Sequence, residues 1–328
     1  MSAQTNLLPA SIVRRVDYGV FVVLSRLLAI IVIVVVLALL SPQFLSWGNF
    51  LNVMRQASLQ FLMAAGLTIV VLTGGIDLAI GAILGLAACL SGSMMSQGHL
   101  AWGIVSALAV GLAAGSVNGL LVTFGRIPPF IATYGMLWIA HGLGYVFMKG
   151  EVIYGLPEAF RFIGAGFLWG IPVPVIIALV LLGVLHLMLH GTVLGRAIYA
   201  IGGNPGAARL SGMPVRARLI LVYALSGLLS GFAALVVIAR VNAADSSIGE
   251  DLLLPAIASV CLGGTSLFGG VGGIAGTAIG AVILALVVNG MNLLGVQTFW
   301  QSGVMGAIIL ISVLADHVGG SRLVGKRS

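Results

Sequence analysis

Ten apolar runs follow one another along the chain, at residues 20–40, 57–73, 78–96, 101–123, 129–148, 172–190, 217–239, 252–267, 272–290 and 301–316. A hydrocarbon layer about 30 Å thick is crossed by roughly 20 apolar residues in a helix. The runs therefore predict an all-α integral membrane protein with about ten transmembrane helices. Composition points the same way: 60% of the residues are hydrophobic, 7% are charged, and the mean hydropathy is +1.20. Average soluble domains carry about 25% charged residues. A soluble protein so poor in charge has no means of covering its surface, so most of this surface faces lipid or other protein. The first run has a basic lead in Arg14 and Arg15, like a signal peptide. It ends in Ser41-Pro42-Gln43-Phe44, without a small-residue cleavage pattern, and reads as an uncleaved span. The run 252–267 is short, and with the glycine-rich stretch behind it is a candidate for a bent or re-entrant helix.

The basic residues orient the chain. With ten spans and the N-terminus inside, the inner segments hold Arg14, Arg15, Arg26, Arg126, Arg196, Arg209, Arg216, Arg218, Arg322, Lys326 and Arg327, while the outer ones hold Arg55, Lys149, Arg161 and Arg240. Eleven against four places both termini in the cytoplasm. Trp47, Trp102, Trp169 and Trp300 then fall near the outer interface, as an aromatic belt does. The expected organisation is a cytoplasmic N-terminal segment at 1–19, a transmembrane domain at 20–316 with a long cytoplasmic loop at 191–218, and a basic tail at 317–328. The formal charge of +7 is scattered over segment ends rather than clustered on a nucleic-acid fold, so no nucleic acid is expected as a partner.

Glycine is abundant, with 47 residues, and several lie four apart: Gly81/Gly85, Gly111/Gly115/Gly119, Gly227/Gly231 and Gly272/Gly276/Gly280. Such spacing puts small residues on one helix face, where another backbone can approach closely. Tight packing inside one bundle is the plainer reading, and a subunit seam or sliding surface the sharper one. Cys89 and Cys261 both stand in apolar stretches and read as small buried hydrophobes. His186 and His190 sit four apart without a third ligand nearby, so no metal site is expected. No catalytic set can be argued from the order of residues, and no lysine-bearing phosphate loop appears, so ATP hydrolysis is not expected on this chain.

Between the sixth and seventh runs, Asn204-Pro205 suits a turn, a short helix is expected over residues 207–211, and Gly212 and Pro214 end it. A short helix held in the cytosol between two spans is a natural docking knob.

Several motifs in one order carry a resemblance: Gly74-Gly75-Ile76-Asp77-Leu78, Arg126-Ile127-Pro128-Pro129-Phe130-Ile131-Ala132-Thr133, Tyr199-Ala200-Ile201-Gly202-Gly203-Asn204 with Ala207-Ala208, Tyr223-Ala224-Leu225-Ser226-Gly227-Leu228, and Leu262-Gly263-Gly264-Thr265-Ser266. From about Phe44 to Asp316 the sequence resembles the permease subunits of bacterial ATP-binding-cassette importers for ribose, other monosaccharides and related compounds. Pro129 departs from related sequences, which usually carry a smaller residue or alanine there.

The resemblance implies an inner-membrane permease importing a sugar-like neutral solute, and two permease copies, identical or paralogous, around one pathway. It also implies two cytosolic ATPase subunits that hold ATP and magnesium, with no cofactor on this chain, and a periplasmic sugar-binding protein. Membrane lipid surrounds the whole. It makes the segment of Asn204, Ala207, Ala208, Arg209, Leu210 and Gly212 the coupling helix, with the small residues allowing close seating in an ATPase groove and Arg209 facing an acidic rim.

Asp77 precedes an apolar helical run, where a carboxylate caps free amides. An intramembrane acid is also a candidate gate or solute contact. Asn118, Asn289 and Asn292 are either helix-to-helix hydrogen-bonding groups or contacts for sugar hydroxyls. The competing function is a self-powered secondary transporter, which relies on charges or broken helices at mid-membrane. Charge in the runs is scarce here, and the docking loop has no role in that scheme.

Overall fold

The computed structural model describes residues 10–324, with side chains from 24 to 314. The expected N-terminal segment and basic tail lie in part outside the described residues. Thirteen α-helices are found among the described residues: α1 (Ala10–Leu40), α2 (Trp47–Leu72), α3 (Ile80–Ser96), α4 (Leu100–Thr123), α5 (Pro129–Met148), α6 (Glu158–Ala165), α7 (Val173–Gly191), α8 (Val193–Gly203), α9 (Pro205–Leu210), α10 (Val215–Val241), α11 (Glu250–Leu262), α12 (Ile274–Leu293) and α13 (Thr298–Val324). Two minimal antiparallel pairs join them: β1 (Ile153–Tyr154) with β4 (Ala243–Ala244), and β2 (Phe167–Leu168) with β3 (Ile171–Pro172).

Each of the ten apolar runs contains a helix. Six of them, α2, α4, α5, α7, α10 and α12, are long and apolar enough to cross a membrane; Leu24–Leu40, Ile80–Ser96 and Thr298–Leu314 are apolar but shorter. The eighth run behaves differently. Its helix α11 has 13 residues, about 20 Å at 1.5 Å per residue, which falls short of the hydrocarbon thickness. Gly263 and Gly264 end it, and residues 263–273 form an irregular loop before α12. Pro129 takes the first helical position of α5, where no N–H is needed, so the departure from related sequences is absorbed without a kink.

Helix α2 is the axis of the bundle. Every residue from 57 to 72 is buried, under α7, α10, α11 and α12. Its start is capped by Ser46, whose Oγ accepts from the Asn49 N–H at 3.3 Å. Helices α4 and α10 form the tightest pair, because Gly111, Gly115, Gly227 and Gly231 bring the two backbones into contact. The other small strips are also used within the protomer. Gly81 and Gly85 admit the turn at 246–249 against α3, and Gly276 and Gly280 admit α11 against α12. Cys89 is buried and Cys261 half-buried.

Candidate functional site

The long loop forms an elbow of two helices. Thr192 Oγ1 accepts from the Gly195 N–H at 3.1 Å to start α8, and Asn204 Oδ1 accepts from the Ala207 N–H at 3.0 Å to start α9. Gly212, at φ 80°, closes α9 in the left-handed region that suits glycine. Asn204, Ala207, Arg209, Leu210 and Gly212 are exposed, Leu210 at 91%. Ala208 is not on that surface. It is buried beside Ile201 and Val215, and it holds α9 onto the bundle. A six-residue helix lying on a protein must bury one side, and here the inward side carries Ala208 while Leu210 points out. Helix α8 itself was not expected from sequence, although Leu194, Ile198 and Ile201 recur at helical spacing behind the Thr192 cap.

The elbow is fastened to the interior through backbone. Gly270 N–H donates to the Leu72 carbonyl at the end of α2 at 2.9 Å, and a side chain on Gly202 would collide with that same carbonyl. Tyr199 of α8 donates its hydroxyl to the Gly272 carbonyl at 3.0 Å. Partial burial pushes the Tyr199 phenol above its ordinary range, so it stays a donor at physiological pH. Three glycine segments, at 74–75, 202–203 and 269–270, thus meet at one junction beneath the elbow.

From that junction an irregular strap at 73–79 leads from α2 to α3. Asp77 lies on it, fully buried. Its Oδ2 accepts from Ser226 Oγ of α10 at 2.9 Å and its Oδ1 from the Ala79 N–H at 3.0 Å. The carboxylate therefore serves the turn before α3 and also ties it to α10. Thr133 Oγ1 of α5 donates to the Ile76 carbonyl at 3.2 Å. Gly75 packs directly under the Tyr223 hydroxyl, which is buried without a hydrogen-bond partner. Asn118 is fully buried, and neither atom of its amide has a partner.

The other two asparagines act elsewhere. Asn289 of α12 exchanges hydrogen bonds with Asn49 of α2, at 2.7 and 3.0 Å, while Asn292 Oδ1 accepts from Gln301 Nε2 of α13 at 2.7 Å. His190 Nδ1 lies 2.9 Å from the His186 carbonyl, and their rings are 4.2 Å apart. Sequence reasoning assigned no role to Ser226, Asn49 or Gln60. The polar pair Gln56 and Gln60, four apart at the head of an apolar run, was the legible signal for the last.

A central buried helix, a broken segment bearing a buried acid, and a capped two-helix elbow tied to it stand together in a bundle of membrane-length apolar helices, the arrangement of a polytopic transport subunit. The comparisons agree. Residues 49–313 match the family described as branched-chain amino acid transport system / permease component. The ribose import permease protein of Bacillus subtilis is 43% identical over 93% of this chain and 96% of its own length. Its Escherichia coli K12 counterpart is 42% identical over 89% and 93%. The D-allose transport system permease protein of Escherichia coli K12 is 37% identical over 92% and 91%. No solved structure matches the chain. The chain belongs to the permease family of bacterial ATP-binding-cassette importers, and it is a multi-pass protein of the inner membrane. That family works with ATPase subunits and a periplasmic binding protein.

Proposed function

We propose that the chain carries a neutral monosaccharide or closely related polyol into the cell, as one of two permease copies around a shared pathway. ATP and magnesium are held by separate ATPase subunits, and this chain performs no catalysis. The observation that carries the reading is the similarity to ribose and allose permeases over about nine-tenths of the chain. A charge-poor interior suits such a solute, since an ion would meet a large desolvation cost. In this reading ten membrane-crossing segments put both termini and the α8–α9 elbow in the cytoplasm, with α11 and the 263–273 loop counted as one of them. The exposed Leu210 and Arg209 contact the ATPase, and Asp77 and Asn118 are gate or pathway groups. Asn289 and Asn292 stand near the pathway through their helix-bridging bonds.

Uptake of radiolabelled D-ribose, D-allose and D-galactose tests the reading in cells that lack other carriers for them. The chain is expressed with its binding protein, and with either its own ATPase or an ATPase whose phosphate-loop lysine is replaced. Uptake should fall to background with the defective ATPase. Sugar accumulation that persists there and collapses with the proton or sodium gradient would instead support a secondary transporter, the reading that a buried acid on a broken segment favours.

A further inference from the structure

A cavity of about 350 Å³ opens at the end of α10 opposite the elbow. It is walled by Gln56 and Gln60 of α2, Arg240 at the end of α10, Glu250 and Asp251 at the start of α11, and Ser302 of α13. Gln60 is 5% exposed, and its Oε1 has no hydrogen-bond partner. A buried acceptor left empty is a standing cost of folding, and a ligand hydroxyl is the group that removes it. Glu250 is paired with His141 of α5 at 2.9 Å, and Arg240 has no ion pair among the described residues. Arg240 and Asp251 thus offer one donor group and one acceptor group of opposite charge at the same cavity. Leu59, Pro255 and Met305 supply an apolar wall.

We infer that this cavity is a binding site for a single sugar ring within the membrane subunit. Planar amides, a guanidinium and a carboxylate present paired donors and acceptors, which match neighbouring hydroxyls. The apolar wall takes the C–H face. The volume sits at the low end of ligand cavities, about 300–1,000 Å³, enough for one five- or six-carbon ring. The inference rests on the monosaccharide reading above and adds the place where the permease itself reads the hydroxyls.

The test uses the chain expressed with its ATPase and binding protein, and compares wild type, Gln60→Met and Gln60→Glu. Labelled D-ribose, D-allose, D-galactose and L-leucine are the probes. Gln60→Met keeps side-chain length and removes the acceptor. It should lower maximal sugar uptake about tenfold or more, while ATPase co-purification and ATP turnover stay within about twofold of wild type. Gln60→Glu, whose buried carboxyl is held neutral, keeps a carbonyl oxygen at the same place and should restore most of the loss. Should Gln60→Met fail to reach the membrane, Asp251→Asn at the exposed mouth carries the test, with a raised half-saturation concentration expected. Wild-type uptake by Gln60→Met, or by Asp251→Asn where that variant carries the test, overturns the site, and so does loss of ATPase co-purification together with uptake in Gln60→Met, which marks a structural residue. Leucine uptake without sugar uptake by the wild type overturns the proposed solute and the occupant together.

Discussion

Gly202 and Gly203 are neighbours with opposite surroundings. A methyl group on Gly202 would strike the Leu72 carbonyl and crowd the Gly270 amide, whereas one on Gly203 meets nothing within 4 Å. Overpacking against backbone costs about 1–3 kcal/mol, because backbone cannot rotate aside as a side chain can. Gly202→Ala is therefore expected to lower the melting temperature of the purified permease and cut uptake severalfold, with Gly203→Ala close to wild type in both. Equal behaviour of the two variants, by thermal shift and uptake, would remove the glycine junction from the account. The Asn49–Asn289 exchange belongs to this scale as well. Leucine at either position should cost about 1 kcal/mol, and leucine at both less than the sum, since the second change removes a group the first left unpartnered. Denaturation of the four proteins in detergent measures the coupling. Asn289 was legible in the sequence as a polar residue in an apolar run; Asn49, 240 positions away, was not its evident partner.

At the scale of elements, the elbow has one side fixed to the bundle and one side exposed. Helix α9 is pinned inward by Ala208 and presents Leu210 outward, while α8 is joined to the end of α2 through the glycine junction. If α9 seats in the ATPase as proposed, the backbone contacts at the glycine junction connect α8 to the strap that holds Asp77. Leu210→Asp places a charge on the exposed tip and leaves the inward packing alone. It should reach the membrane in normal amount, lose ATPase co-purification and abolish most sugar uptake. Ala208→Glu should lower the amount of folded protein as well, because a carboxylate would be forced among Ile201 and Val215. Membrane abundance by immunoblot, set beside co-purification, separates the two effects; normal co-purification with Leu210→Asp would deny α9 a docking role. Turn chemistry made α9 legible through Asn204, Pro205 and Gly212. The shortness of α11 was legible in its short apolar run and the glycines behind it, whereas its exact end at Gly263 was not, because an apolar run does not reveal where a glycine pair releases the helix.

For the whole molecule, the basic-residue asymmetry and the elbow make one prediction about sidedness. Single cysteines at Ser211 and Ser247, both exposed, are treated with a membrane-impermeant thiol reagent. Ser247→Cys should label in intact spheroplasts and Ser211→Cys only after the membrane is opened; the reverse pattern would invert the topology. Apolar length and charge bias are properties of contiguous residues, and the solvent alone selects them. For that reason the membrane class, the long helices and the short helix α9 could be read from the sequence by itself, and the order of motifs carried the family. Tertiary structure alone decided that α2 lies at the centre, that Ala208 faces inward, that Asp77 reaches Ser226, and that Gln60 stands unpartnered in a polar cavity. Each of these depends on which helix lies beside which. Between apolar helices in lipid that choice is made by shape, through glycine contacts and a few buried hydrogen bonds, and no local periodicity encodes it.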